Sequence, residues 1–304
     1  MPASRRNFLK TCALGALCVA TRSLRAGENS APTIIQFHRG GGMAAPENTL
    51  ETFVWAWENG GVPEADTRLT KDGVLVAFHD NDLSRLAPHL DDATKRRPID
   101  SFTWDEMKLF DVGRYKGEAW RGQHIPTMES VFLAMQEKPA RLLYIDEKGA
   151  PMPLVAEAAS RFGVQNQCIL ASTRYECIKQ WKALCPHSLT LHWMGGTEEQ
   201  LRARFDALRK VEFAGVSQLQ IHVTTGDLDS PDPFRPSSDF LRRAGRELKE
   251  RGILFQALSW TKGNVAEVYY RLMDLGVESF ATDHPLETVR ACAQYREMKK
   301  SKNV

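Results

Sequence analysis

Two histidines and three carboxylates in this sequence could act together on a phosphate ester. The histidines are His38 and His79, and an imidazole can donate or accept a proton near neutral pH. The carboxylates are Glu64, Asp66 and Asp146. Because Glu64 and Asp66 are two residues apart in a predicted strand, their side chains point to the same face. Oxygen-only ligands of this kind favour Ca²⁺ or Mg²⁺ over zinc.

A basic residue lies close in sequence to one of the histidines and another to one of the carboxylates. Arg39 follows the first histidine directly, and Lys148 lies two residues after Asp146, on the same face of its predicted strand. A cation site, an acid/base pair and two fixed positive charges together suit phosphoryl chemistry. Three further side chains near the ends of later strands are candidates for lining the same pocket: His192, His222 and Trp260.

The fold that must position these residues is predicted from the alternation of short apolar runs with amphipathic segments. Such alternation implies parallel strands with helical crossovers. Eight units in about 270 residues fit a (β/α)8 barrel, whose active site lies at the carboxyl ends of its strands. A doubly wound open sheet is the alternative. The predicted strands are Thr33–His38, Val62–Leu69, Arg141–Asp146, Gln167–Ser172, Ser188–Trp193, Val216–Val223, Ile253–Ser259 and Val277–Thr282.

One additional run, Val74–Phe78, follows the second strand after only four residues, which include Lys71-Asp72-Gly73. A parallel connection needs a dozen or more residues, so the two runs are predicted to form an antiparallel hairpin. That hairpin would place His79 opposite Glu64–Asp66. Residues 81–127 are polar and weakly periodic, and we expect them to form an insertion over one face of the barrel, a candidate lid.

An ordered set of motifs extends this interpretation. They are His38-Arg39-Gly40, Pro46-Glu47-Asn48-Thr49, Glu64-x-Asp66, Asp72-Gly73, His79-Asp80, Ile125-Pro126-Thr127, Asp146-x-Lys148 and Gly276-Val277…Thr282-Asp283…Pro285. With them, residues 33 to about 288 resemble the glycerophosphodiester phosphodiesterase family. The resemblance implies a (β/α)8 barrel that uses Ca²⁺ or Mg²⁺ to hydrolyse glycerophosphodiesters to glycerol 3-phosphate and an alcohol.

The resemblance also implies roles for single residues. The family's acid/base pair corresponds to His38 and His79, in an order that the sequence leaves open, and Arg39 corresponds to a phosphate-contacting arginine. Glu64 and Asp66 correspond to metal ligands.

The sequence departs from the family pattern at two places. Asp146 stands where the family usually has Glu, and its neighbour Glu147 should point to the opposite face of the strand. The Trp-Thr pair that commonly ends the seventh strand is replaced by Leu258-Ser259, with Trp260-Thr261 two positions later. We also expect Asn48 to be a helix N-cap, with Glu51 completing a capping box.

The first 26 residues are predicted to be an address rather than part of the fold. Ser4-Arg5-Arg6-Asn7-Phe8-Leu9-Lys10 precedes a short apolar run and resembles a twin-arginine export signal. Residues 27–304 would then form a single domain, exported to the periplasm or the extracellular space. Four cysteines remain in that domain, and without a C-x-x-C pair we expect buried free thiols.

Composition narrows the class of protein further. The 304 residues carry 40 Lys+Arg against 38 Asp+Glu, which argues against a dedicated nucleic-acid binder. No stretch of 18 or more uncharged apolar residues occurs, so no transmembrane segment is expected. The expected partner is a small-molecule glycerophosphodiester, and the oligomeric state stays open.

Three alternatives to that function are consistent with parts of the pattern. A lysophospholipase D-type phosphodiesterase would use the same site with an apolar groove for acyl chains. An exported phosphodiester-binding protein with a degenerate site would explain the Glu-to-Asp change at Asp146. A barrel glycosidase would also need paired carboxylates, but it would leave both histidines and Lys148 unexplained.

Overall fold

The computed structural model describes residues 33–302, so the predicted export signal lies outside the described residues. Within that range, eight parallel strands alternate with helices. The strands are β1 (Ile35–Phe37), β2 (Val62–Leu69), β4 (Leu143–Glu147), β5 (Cys168–Ser172), β6 (Leu189–Met194), β7 (Gln218–Thr225), β9 (Leu254–Ser259) and β10 (Ser279–Thr282). Two short antiparallel strands, β3 (Leu75–Ala77) and β8 (Phe234–Arg235), pair with β2 and β7.

The sheet closes on itself because β1 pairs with both β2 and β10, in parallel on each side. This closure confirms the predicted barrel and shows that the open-sheet alternative is wrong. The long helices are α1 (Leu50–Glu58), α4 (Met128–Met135), α5 (Met152–Arg161), α6 (Tyr175–Leu184), α7 (Glu198–Lys210), α8 (Ser238–Glu250), α9 (Ala266–Asp274) and α10 (Pro285–Lys302).

Alternation along each strand separates the core from the interior of the barrel. In β4, Leu143 and Ile145 belong to the main apolar cluster between sheet and helices. Tyr144, between them, belongs to a smaller cluster with strand residues of β5 and β6, and Asp146 follows it on the same face. The two-residue period therefore delivers Asp146 to the inside of the barrel, where it can join other polar groups.

The hairpin forms as predicted. Thr67 pairs with Ala77 in an antiparallel register, so His79 lies opposite Ala65, in the middle of Glu64–Asp66. The insertion, residues 81–127, contains the short helices α2 (Asp92–Lys95) and α3 (Trp104–Met107). Its apolar residues form a separate cluster together with Val76 and Phe78 of the hairpin. It is thus a folded unit seated beside the barrel mouth.

Two further expectations concern cysteines and membranes. Cys168, Cys177, Cys185 and Cys292 are all buried and free, as predicted. Among residues 33–302, no helix combines the length and the apolar character needed to cross a bilayer.

Candidate active site at the carboxyl ends of the strands

The three predicted carboxylates converge inside the barrel mouth. Glu64 and Asp66 extend from β2, and the parallel register sets Asp66 directly beside Asp146 of β4. One oxygen from each of the three lies within 4.8 Å of the others. Glu64 and Asp66 are buried, the latter with 0% of its surface exposed. Three carboxylates so close together in a poorly solvated place repel one another unless a cation or protons compensate.

The pKa values of Asp146 and Glu64 are raised, in part by this repulsion. Burial, reinforced by the charges of Glu64 and Asp66, raises the pKa of Asp146 to about 7. Burial likewise raises the pKa of Glu64, although His38 opposes that rise. The Lys148 ammonium lies 2.7 Å from Asp146 Oδ2 and 3.7 Å from Asp66 Oδ1. Burial would lower the pKa of Lys148, but the carboxylates outweigh it and raise that pKa.

These donors fit a hard divalent cation. In the described part of the chain, the buried Asp66 Oδ1 has no hydrogen-bond partner, although it sits within the carboxylate cluster. A buried, unsatisfied carboxylate oxygen is costly, and metal coordination is a common way of satisfying it. The oxygen-only donor set, Glu64, Asp66 and Asp146, suits Ca²⁺ or Mg²⁺.

Asn48 holds one of these carboxylates in place. Its Nδ2 donates to Asp66 Oδ2 at 2.7 Å, and its Oδ1 accepts from the Asp66 backbone N–H at 3.0 Å. The expectation that Asn48 caps α1 is wrong. Thr49 is the N-cap, and its hydroxyl accepts from the Thr52 N–H. Asn48 adopts a φ of 51°, a left-handed conformation that Asn tolerates better than most residues, and this turns its amide towards Asp66.

Glu64 rests on a buried network of amides in the barrel interior. Gln36 Nε2 donates to Glu64 Oε2 through a short hydrogen bond, and Gln220 Nε2 donates to Gln36 Oε1 at 3.4 Å. Gln220 also donates to Gln256, which in turn donates to Tyr144 Oη at 3.3 Å. A polar interior of this kind orients Glu64, and it is expensive unless its members are paired.

His38 begins a one-turn 3₁₀ helix directly after β1. Its Nδ1 lies 2.7 Å from Asp283 Oδ1, a residue that follows β10. Burial by itself would lower the pKa of His38, but Glu64 and Asp283 outweigh burial and raise it to about 9. Because β1 and β10 are neighbours across the closure of the barrel, residues 245 positions apart form this pair.

His79 has a similar arrangement at the hairpin. Its Nδ1 lies 2.7 Å from Asp80 Oδ1, and its Nε2 lies 3.0 Å from Arg39 Nη2. A guanidinium can only donate, so Nε2 is the acceptor and Nδ1 carries the proton shared with Asp80. The structure thus brings Arg39 and His79 together, and it places Lys148 with the carboxylates.

The three candidate pocket residues separate into two groups. His222 stacks on Trp193 with ring centroids 5.1 Å apart and meets Trp260 edge-on at 5.3 Å. Trp260 is 49% exposed and meets His38 edge-on at 6.0 Å, so it borders the site although it follows the end of β9. His192 is only 3% exposed and packs against Tyr175.

The two pocket histidines, His192 and His222, are neutral at pH 7. Burial first, and then the charge of Arg204, lower the pKa of His192 to about 4. Burial first, and then His38, lower the pKa of His222 to about 4. Trp193, His222 and Trp260 therefore form an uncharged aromatic wall, which extends to within ring-contact distance of His38.

Comparison with known proteins identifies the family. Residues 38–287 match the sequence model of the glycerophosphoryl diester phosphodiesterase family. The chain belongs to this family. It is 30% identical over 168 residues to a glycerophosphodiester phosphodiesterase of Caldanaerobacter subterraneus subsp. tengcongensis, a match that covers 51% of this chain and 64% of that protein. The chain therefore spans less than two thirds of the length of this curated relative.

Solved structures of the family share the fold. A glycerophosphoryl diester phosphodiesterase from Parabacteroides distasonis superposes with a TM-score of 0.67 at 21% identity, over 89% of each chain. A phosphodiesterase from Oleispira antarctica, solved in complex with the product sn-glycerol-3-phosphate, superposes with a TM-score of 0.63 at 21% identity, over 86% of this chain and 96% of that one.

Sequence reasoning did not assign roles to several residues of the site. Asp80 and Asp283 were recognised as parts of motifs but not as partners of the histidines. Glu147 points away from the site, as expected, and pairs with Arg174 of the segment before α6. Arg85 gave no signal beyond being one of several arginines in the insertion, yet it contacts both Glu47 and Asp80.

Proposed function

We propose that this chain hydrolyses glycerophosphodiesters to glycerol 3-phosphate and an alcohol, using a divalent cation and the pair His38 and His79. The observation that carries the proposal is the convergence of three carboxylates within 4.8 Å at the mouth of the barrel, with Lys148 beside them. Family membership supports the reaction class.

The cation would be Ca²⁺ or Mg²⁺, held by Glu64, Asp66 and Asp146. When bound, it would supply positive charge that stabilises the developing charge on the phosphate oxygens. Lys148 and Arg39 would bind the remaining negative charge of the phosphate. Because Arg39 already contacts His79, a phosphate held by Arg39 would also lie close to that imidazole.

The two histidines differ in a way that supports a division of labour. His79 presents an unprotonated Nε2, held by Asp80 from behind, which suits removal of a proton from the nucleophile. The nucleophile is either water or the glycerol 2-hydroxyl, which would give a cyclic intermediate. His38 Nδ1 pairs with Asp283, a carboxylate outside the proposed cation site that raises the pKa of His38, so His38 would hold a proton and donate it to the leaving alcohol.

The decisive test is release of glycerol 3-phosphate from glycerophosphocholine by the purified chain in Ca²⁺, in Mg²⁺ and in EDTA. We expect release with a divalent cation and none in EDTA. His38→Ala and His79→Ala should each lower kcat/KM by about 10²–10⁴-fold, the usual contribution of an acid or base. His187→Ala is the matched control, because His187 is exposed and precedes β6 at the opposite end of the barrel.

The outcomes separate the candidate functions. Turnover of lysophosphatidylcholine in preference to glycerophosphocholine would favour the lysophospholipase D alternative. Tight binding without turnover in any cation would favour the binding protein and would make Asp146 the first residue to examine. Near-normal turnover in both histidine variants would overturn the assignment of the acid/base pair.

We also propose that the chain is exported, on the basis of the twin-arginine pattern at Arg5 and Arg6. In a bacterium with a twin-arginine export system, the protein should be recovered outside the cytoplasm. Replacing both arginines by lysine should retain it in the cytoplasm with its length unchanged, and unchanged export of that variant would refute the prediction.

A further inference from the structure

Arg85, a residue of the insertion, closes a circuit of charged side chains around His79. Its guanidinium binds Glu47 through Nη1 and Nη2, at 2.5 and 2.7 Å. It also binds Asp80 through Nε and Nη2, at 2.8 and 3.0 Å. Glu47 in turn accepts from Arg39 Nη1 at 3.2 Å, while Asp80 pairs with His79. The contact between Arg39 and His79 completes the ring.

The geometry of Arg85 is one that only arginine can supply. A planar guanidinium presents two edges, and each edge can bind one carboxylate through two donors. Glu47 is almost buried, with 8% of its side chain exposed, so its charge needs close partners. Lysine, a point charge on a flexible stem, could reach one carboxylate but could not hold both in fixed orientation.

We propose that Arg85 is a positioning residue that sets the relative orientation of His79 and Arg39 by bridging Asp80 and Glu47. Asp80 fixes the imidazole of His79 through Nδ1, and Glu47 fixes the guanidinium of Arg39. The two carboxylates do not contact each other, and Arg85 joins them directly, opposite the contact between Arg39 and His79. The proposal rests on the proposed function for its catalytic consequence, but not for the geometry itself.

Two other residues of the insertion contact the segment between β1 and α1, which contains Glu47. Tyr115 Oη accepts from the Glu47 backbone N–H at 3.1 Å. Lys116 Nζ donates to the carbonyl oxygens of Gly42 and Met43, at 3.4 and 3.2 Å. The insertion therefore forms hydrogen bonds with the segment between β1 and α1 at several positions. Arg85 is the one among these three residues that also reaches a histidine partner.

A metal ion is not needed to explain this cluster. Glu47, His79 and Asp80 each offer a ligand atom within 4.8 Å of the others, so the grouping resembles a second cation site. Two guanidinium groups, from Arg39 and Arg85, already neutralise its carboxylates. The arginines take the place that a cation would occupy, and they add direction as well as charge.

The kinetic test compares Arg85→Gln with Arg85→Lys. A displacement of about 1 Å in a catalytic group can cost about 10²-fold in rate, so Arg85→Gln should lower kcat/KM by about that factor. Arg85→Lys should lose nearly as much, because the charge alone does not bridge two carboxylates. In a His79→Gln background, Arg85→Gln should cost less than about 3-fold, because residues that act as a unit are not additive.

Arg97→Gln is the matched control. Arg97 lies in the same insertion, has 42% of its side chain exposed against 43% for Arg85, and pairs with Glu106. It also lies over the ring of Phe102, 3.8 Å from the centroid, so it contributes to the stability of the insertion. We expect Arg97→Gln to lower the thermal midpoint, although less than Arg85→Gln because Glu106 is exposed, and to leave kcat/KM within about 2-fold.

A second measurement does not depend on activity. Nitrogen NMR of the chain labelled with ¹⁵N-histidine should show His79 as a single tautomer with its proton on Nδ1, assigned by its loss in His79→Gln. Arg85→Gln should convert it to a mixture of tautomers, while Arg97→Gln should leave it unchanged.

The two measurements separate failure of this inference from failure of the proposed function. If the wild-type chain releases no glycerol 3-phosphate, the proposed function fails and the NMR comparison still decides the role of Arg85. An unchanged His79 tautomer in Arg85→Gln would overturn the inference. So would a loss of kcat/KM that multiplies in full with that of His79→Gln, because that result would indicate two independent effects.

Discussion

Replacing Asp146 by Asn should stabilise the cation-free protein and abolish its stabilisation by cations. In the absence of a cation, Asp146 has only 14% of its side chain exposed and lies beside Glu64 and Asp66, and its pKa is raised to about 7 from an ordinary value of 3.8. A difference of that size corresponds to a cost of about 4 kcal/mol for the charged form. The realised gain should be smaller, about 2 kcal/mol, because the amide that replaces the carboxyl group is itself a poorly solvated polar group that needs hydrogen-bond partners.

The stabilisation expected from Asp146→Asn depends on pH, because the folded chain binds a proton at Asp146 more readily than the unfolded chain does. Above pH 7 both the folded and the unfolded chain carry an ionised Asp146, so the folded state bears the full cost. As the pH falls from 7 towards 4, the folded state takes up its proton first and the cost disappears. The gain from Asp146→Asn should therefore be largest near pH 8 and small near pH 4.

Thermal unfolding in EDTA and in millimolar Ca²⁺ measures both effects. We expect the midpoint of Asp146→Asn in EDTA to exceed that of wild type by about 4 °C, and Ca²⁺ to raise only the wild-type midpoint. Glu147→Gln is the control. The Glu147 side chain is 19% exposed, against 14% for Asp146, but it pairs with Arg174 outside the site. A lower midpoint for Asp146→Asn in EDTA, or an undiminished response to Ca²⁺, would refute the reasoning.

Three other changes test separate parts of the site. Asp283→Asn should lower the pKa of His38 from about 9, so the alkaline fall of kcat/KM should begin at a lower pH; an unmoved limb would contradict a role for His38 as the acid. Asn48→Ala should cost about 1–3 kcal/mol in the free energy of unfolding and weaken Ca²⁺ binding, because Asp66 loses two hydrogen bonds; calorimetric titration would show an unchanged affinity if this is wrong. Trp260→Ala should raise the KM for glycerophosphocholine about 2–10-fold with little change in stability, and an unchanged KM would remove Trp260 from the pocket.

The sequence predicts the parts of this molecule that depend on local order. The barrel strands, the hairpin and the shared face of Glu64 and Asp66 follow from periodicity and from the length of one connection. Asp146 and Lys148 follow from the same two-residue rule. Their convergence with β2 then follows from the parallel register between β2 and β4.

The remaining features depend on contacts between distant positions. The pairing of His38 with Asp283 exists because β1 and β10 meet across the closure. The bridge made by Arg85 needs the three-dimensional path of the insertion, which no periodicity encodes. Asn48 was misassigned because a residue before a helix can serve either as a cap or as a side-chain clamp, and both roles favour the same amino acid.

The pairing of His38 with Asp283 has a consequence for the order of events during synthesis. The ribosome releases His38 first, and Asp283 follows 245 positions later. A nascent chain that still lacks β10 has neither a closed barrel nor an oriented His38. Under the proposed function, turnover would therefore require that β10 has closed the barrel and brought Asp283 to His38.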